Sequence, residues 1–131
     1  MHRIFFVSGS ISAFLAIAAG AFGAHFLKKH LEAEMLSIFE TAVRYQMYHA
    51  LALVLVAIVG NIKTGRWYSV AGWSFIAGTF LFSGSLYLLS LTGIKWLGIF
   101  TPFGGVAFLF GWFCMVMVAL GNREQKTEDR L

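Results

Sequence analysis

One stretch, Glu40-Thr41-Ala42-Val43-Arg44-Tyr45-Gln46-Met47-Tyr48-His49, holds most of the side chains able to do chemistry in this chain. On a helix, Glu40, Arg44 and Tyr48 share one stripe at i, i+4 spacing, and Thr41, Tyr45 and His49 share the next. Glu40 and Arg44 read as an anchoring salt bridge near a helix end. His49 suits a proton, ion or ligand site, and equally a hydrogen-bonded packing role. A second imidazole, His25, ends the segment Gly20-Ala21-Phe22-Gly23-Ala24-His25 beside Lys28, where a ring can bond the free carbonyls of a helix C-terminus. Two histidines on facing helices also suit an axial haem or metal pair. Cys114, Met115 and Met117 fall on the other half of the chain's layout, which argues against one soft-metal site with them. P-loop, GxSxG, HExxH and CxxC motifs are absent, and no carboxylate pair is placed for acid and base work. A non-enzymatic protein without a cofactor is the expectation.

The elements that position these residues are apolar. Four runs, Ile4 to Leu27, Tyr45 to Ile62, Val70 to Leu91 and Phe103 to Leu120, dominate the 131 residues. Each approaches the roughly 20 residues that a helix needs to cross a hydrocarbon core of about 30 Å. Hydrophobic residues make up 59% of the chain and charged residues 12%, so a water-facing fold would carry large exposed apolar patches. The first run exceeds a signal-peptide core in length and reads as a membrane helix. Lone Cys114 has no internal disulfide partner and reads as a small buried hydrophobe. A net charge of +4, gathered in connections and tail, suits anionic lipid and gives no continuous basic face for nucleic acid.

The expected fold is an all-α, antiparallel four-helix membrane bundle over residues 1–121, followed by a flexible polar tail over 122–131. An amphipathic segment, Leu31 to Arg44, precedes the second span, lying at the interface or leading straight into it. Counting back about 20 residues from Ile62 carries that span past His49 and Gln46 to Val43, which brings polar groups into the membrane or to its edge. Thr101-Pro102 offers an N-cap and a first-turn proline for the last helix. Lys and Arg number six on the side of the termini (Arg3, Lys63, Arg66, Arg123, Lys126, Arg130) and four on the other (Lys28, Lys29, Arg44, Lys95), which places both termini in the cytoplasm. Ser8, Ser12, Ala16, Gly20 and Ala24 recur every fourth residue, a stripe for close helix approach within the bundle or for self-association.

Antiparallel threading gathers the polar groups at the end away from the termini. The candidate polar site is His25, Glu40, Arg44, Tyr45, Gln46, His49, Ser83, Ser85, Tyr87 and Thr101. His49 is expected to be shielded from lipid and bonded to Ser83, Ser85 or Tyr87, because a bare imidazole in hydrocarbon leaves polar nitrogens unsatisfied. Gly20-Ala21-Phe22-Gly23-Ala24-His25, Tyr45-Gln46 with His49-Ala50-Leu51-Ala52, Leu81-Phe82-Ser83-Gly84-Ser85-Leu86-Tyr87, and Thr101-Pro102 with Gly104-Gly105 and Gly111-Trp112 resemble the domain-of-unknown-function 423 family. Its bacterial members are small inner-membrane proteins, and its animal relatives include transmembrane protein 256. The resemblance covers nearly the whole chain in order. It implies a four-helix protein of the bacterial inner membrane and supplies no catalytic residues. Two functions stand open: a site or conduit for a proton, ion or small amphiphile at the polar, non-cytoplasmic end, or a structural partner that docks another membrane protein or a second copy through small-residue faces. A haem or quinone redox module ranks behind both.

Overall fold

Helix-forming apolar runs broken by short polar connections leave few ways to fold in lipid, where every backbone group must be satisfied inside its own segment. The computed structural model describes residues 2–63, 65–128 and 130–131, and over 122–128 the backbone alone. Its helices are α1 (His2–His25), α2 (Ala33–Ile62), α3 (Trp67–Gly78), α4 (Ser85–Thr92) and α5 (Thr101–Glu128). A π-helical segment, Thr79–Gly84, joins α3 to α4 within one continuous span. Among the described residues four helices are long and apolar enough to cross a membrane, at His2–Lys29, Ala33–Ile62, Trp67–Thr92 and Lys95–Gly121. They run antiparallel, as expected. The flexible tail expected over 122–131 lies largely outside the described residues, although the α5 backbone is helical to Glu128.

Helix α2 is continuous through the segment expected to be amphipathic. Its 30 residues span about 45 Å at 1.5 Å per residue, enough for the hydrocarbon and both head-group layers. The consequence is a shift in depth. Gln46 and His49 sit near the middle of α2, not at the polar end of a shorter span. This helix is also the most enclosed, with Gln46, His49, Ala50, Leu53 and Val56 buried.

Helix α1 packs chiefly on α2 and meets α3 over a short stretch near its own start, where Phe5 lies edge-on to Trp73 with centroids 5.6 Å apart. The buried residues of α1 are Phe5, Gly9, Ala16 and Gly23, so Gly9, Ala16 and Gly23 recur at heptad spacing. A strict period of four drifts about 40° around the helix at each step, because the helix repeats every 3.6 residues. The expected stripe therefore keeps Ala16 on the seam and loses its far end: Ala24 is exposed. Close approach is tightest at Gly9, where an added Cβ would stand 2.7 Å from the Ala50 carbonyl oxygen. At Gly20 it would stand 3.3 Å from a Val43 methyl group, a contact that can give way.

Another close approach lies on the opposite side of the bundle. A Cβ at Gly104 of α5 would press into the backbone of Phe82 in the π-helical segment, so α5 and the third span touch main chain to main chain. Helix α4 ends at Gly93, whose left-handed φ of 73° lets its N–H donate to the Leu89 carbonyl at 2.8 Å. The apolar centre combines Phe5, Leu53, Val56, Phe75, Phe108 and Cys114.

Candidate functional site

Gln46 is the centre of the polar interior. Its Nε2 donates to the Ser12 carbonyl oxygen at 3.0 Å and lies 3.4 Å from Ser12 Oγ, while its Oε1 accepts from the Tyr87 hydroxyl at 2.5 Å. One amide thus ties α1, α2 and α4 together near mid-span. Tyr87 reaches it with its ring edge against Phe39, centroids 5.1 Å apart.

His49 lies one turn further along α2 and is buried. Its Nδ1 is 2.7 Å from the Tyr45 carbonyl oxygen, and Trp112 Nε1 of α5 is 3.2 Å from its Nε2. A carbonyl accepts and an indole N–H donates, so the pattern assigns the proton to Nδ1 and a bare lone pair to Nε2. Both nitrogens of a neutral imidazole are then satisfied. The ring lies flat on Phe108, centroids 3.5 Å apart at an interplanar angle of 6°. Shielding from lipid was expected; the partner is Trp112, not Ser83, Ser85 or Tyr87. Those three residues lie on α4 and the π-helical segment, where other acceptors face them.

Ser83 Oγ donates to the Ala42 carbonyl at 2.8 Å, which joins the π-helical segment to α2. Ser85 Oγ and Thr101 Oγ1 lie 2.7 Å apart, which joins α4 to α5. Thr101 is the first residue of α5 itself, one position later than the expected cap. Tyr45 sets its ring against Phe82 at a tilt of 36°, centroids 4.6 Å apart, and stays partly exposed.

Three expected members stay outside this network. Glu40 and Arg44 are both exposed, and among the described residues no ion pair joins them. Their stripe faces away from the buried seam, where water and head groups serve each charge as well as the other residue would. His25 ends α1 beyond Gly23, which packs on Phe39, and so lies about 15 Å along the bundle axis from His49. An axial pair of imidazoles is excluded by that separation. Among the described residues no three metal-ligating side chains gather.

A groove of about 290 Å³ opens sideways beside Gln46, between α1 and the third span. Gln46 and Leu53 form its buried floor, Ser8, Ser12, Ile76 and Thr79 its walls, and Ile11, Leu15 and Phe80 its exposed rim. Thr79 donates its own hydroxyl to the Phe75 carbonyl at 2.8 Å. Sequence reasoning missed the roles of Ser12, Thr79 and Trp112. Ser12 stood in the small-residue stripe and Trp112 in the Gly111-Trp112 motif, so both were visible, but as packing residues rather than as partners. Thr79 carried no local signal.

The sequence pattern that defines the family described as "Protein of unknown function (DUF423)" matches residues 19–105. The UPF0382 membrane protein YwdK of Bacillus subtilis (strain 168) is 45% identical over 119 residues, covering 90% of this chain and 97% of its own. A UPF0382 membrane protein of Staphylococcus aureus (strain bovine RF122 / ET3-1) is 44% identical over 115 residues, 88% of this chain and 93% of its own. One from Staphylococcus saprophyticus is 43% identical over 115 residues, 88% and 95% of the two chains. No solved structure matches. Four membrane-length helices and these relatives together make the chain a membrane protein of the DUF423 family.

Proposed function

We propose that this protein is a non-enzymatic membrane protein that holds a small amphiphile in the groove beside Gln46. The groove carries the reading: it is open to the bilayer, apolar at its rim and polar at its floor. Such a cleft, a few polar groups set behind an apolar rim, suits a small-molecule site. The buried polar groups themselves favour binding over conduction. Among the described residues no buried side-chain nitrogen or oxygen lacks a partner, and the bonds of Gln46, His49, Ser83 and Ser85 run sideways between helices instead of forming a chain along the bundle. The tightest helix contact of α1, through Gly9, Ala16 and Gly23, is made to α2 of this chain and so is not open to another protein.

Native mass spectrometry of the protein released from mild detergent tests the reading. The wild type should retain a co-purified molecule that Ser8→Phe, which fills the groove while leaving the Gln46 residue in place, expels. Identical spectra for the two proteins, with both folded by circular dichroism, would overturn it. The Lys and Arg distribution supports cytoplasmic termini, and the bacterial membrane-protein relatives support a bacterial plasma-membrane location.

A further inference from the structure

We infer that the groove selects an uncharged amphiphile whose head offers a hydrogen-bond acceptor, an ester, ketone, ether or hydroxyl oxygen, and that the head enters sideways between α1 and the third span. The inference rests on the binding function proposed above and adds the chemical class of the occupant. Hydrogen-bond accounting gives the first argument. Gln46 already donates to Ser12 and accepts from Tyr87, but among the described residues neither Ser8 nor Ser12 has an acceptor for its hydroxyl proton. Both hydroxyls line the groove, so the wall presents donors.

Charge gives the second. No Asp, Glu, Lys, Arg or His lines the groove, so a carboxylate, phosphate or ammonium brought there would lose its water with no opposite charge in return. The rim gives the third. Ile11, Leu15 and Phe80 are apolar and exposed, so a head reaches the floor past hydrocarbon side chains, which only a neutral one does readily. The volume of about 290 Å³ holds a small head and the first part of a chain, with the rest leaving between Ile11, Leu15 and Phe80.

The test uses the full chain in phosphatidylcholine nanodiscs and four photoreactive probes with the same diazirine-bearing C16 chain. Their heads are an alcohol, a methyl ester, a carboxylate and an ammonium. Saturable labelling of peptides containing Ser8 to Leu15 or Ile76 to Phe80 should be roughly tenfold stronger for the alcohol and ester. Ser8→Ala/Ser12→Ala, which keeps the Ser12 carbonyl bond to Gln46, should remove that preference, and Ser8→Phe should remove saturable labelling altogether. Equal saturable labelling by all four heads would overturn the class of occupant while leaving binding in place. A preference unchanged in Ser8→Ala/Ser12→Ala would overturn the role of the two hydroxyls. Absence of saturable groove labelling by every probe would overturn the binding function as well.

Discussion

At the scale of residues, one amide and one imidazole hold the middle of the molecule. Gln46→Leu removes bonds to Ser12 and Tyr87 at once and leaves a tyrosine hydroxyl in an apolar surround. Interhelical hydrogen bonds in membranes are each worth about 0.6 to 2 kcal/mol, so this variant should lose roughly 1 to 3 kcal/mol in SDS-titrated unfolding. Tyr87→Phe removes one of those bonds and should lose less. Ser85→Ala, which also removes one interhelical bond but at the end of the bundle, should resemble Tyr87→Phe. His49 makes a prediction of a different kind. Its nitrogen-15 shifts should report a proton on Nδ1, and Trp112→Phe should alter the Nε2 resonance while leaving Nδ1 bonded to the Tyr45 carbonyl. A wild-type ring with its proton on Nε2 would contradict the assigned hydrogen bonds.

At the scale of elements, helix contacts rank by how near the backbones come. Gly104→Leu would drive a side chain into the Phe82 main chain and Gly9→Leu into the Ala50 carbonyl, whereas Gly20→Leu meets a movable Val43 methyl. Thermal unfolding in detergent should fall furthest for Gly104→Leu and Gly9→Leu, with Gly20→Leu nearest to wild type. The sequence pointed to Gly20 because a four-residue stripe was legible there; the heptad through Gly9, Ala16 and Gly23 was just as present but competes with so many other small residues that only the partner helix picks it out. The helices themselves were readily legible, since hydropathy and length decide them in lipid. The true length of α2 was less so. The amphipathic segment Leu31 to Arg44 looks interfacial in isolation, yet from Ala33 it continues into one helix because Phe39, Ala42 and Gln46 keep its buried side intact. That continuity is also why the polar site lies at mid-span and why Ser12, on another helix, became its partner. No local spacing announces a bond between residues 34 positions apart.

At the scale of the whole molecule, the antiparallel threading brings both termini to one face of the bundle. With the Lys and Arg count favouring the cytoplasm for that face, single cysteines at Lys63 and Lys95 in a Cys114→Ala background should label from opposite sides of intact cells. Lys63 should react only after the membrane is permeabilised and Lys95 before it. Reaction of both from one side would contradict the threading, and the reverse order would contradict the orientation. The described surface is rich in Phe, Leu and Ile, as expected where lipid is the solvent: Phe14 is 73% exposed and Phe80 77%. Such positions tolerate exchange among apolar residues and resist charge.

The preference of α1 for α2, and of α5 for the third span, divides the bundle into two hairpins that each cross twice and return to the face they left. Their junction is the short stretch between Lys63 and Arg66; across it α2 packs on the third span and accepts hydrogen bonds from side chains of the second half, Ser83 to the Ala42 carbonyl, Tyr87 to Gln46 and Trp112 to His49. Inheritance of the fold as two separate genes is therefore within reach: halves ending and beginning in that stretch, made together in one cell, each have a complete insertion unit and should find one another in the bilayer. Interrupting the chain inside either hairpin, between Leu27 and Ala33 or between Gly93 and Thr101, strips one long helix from its principal partner and should yield no such reunion.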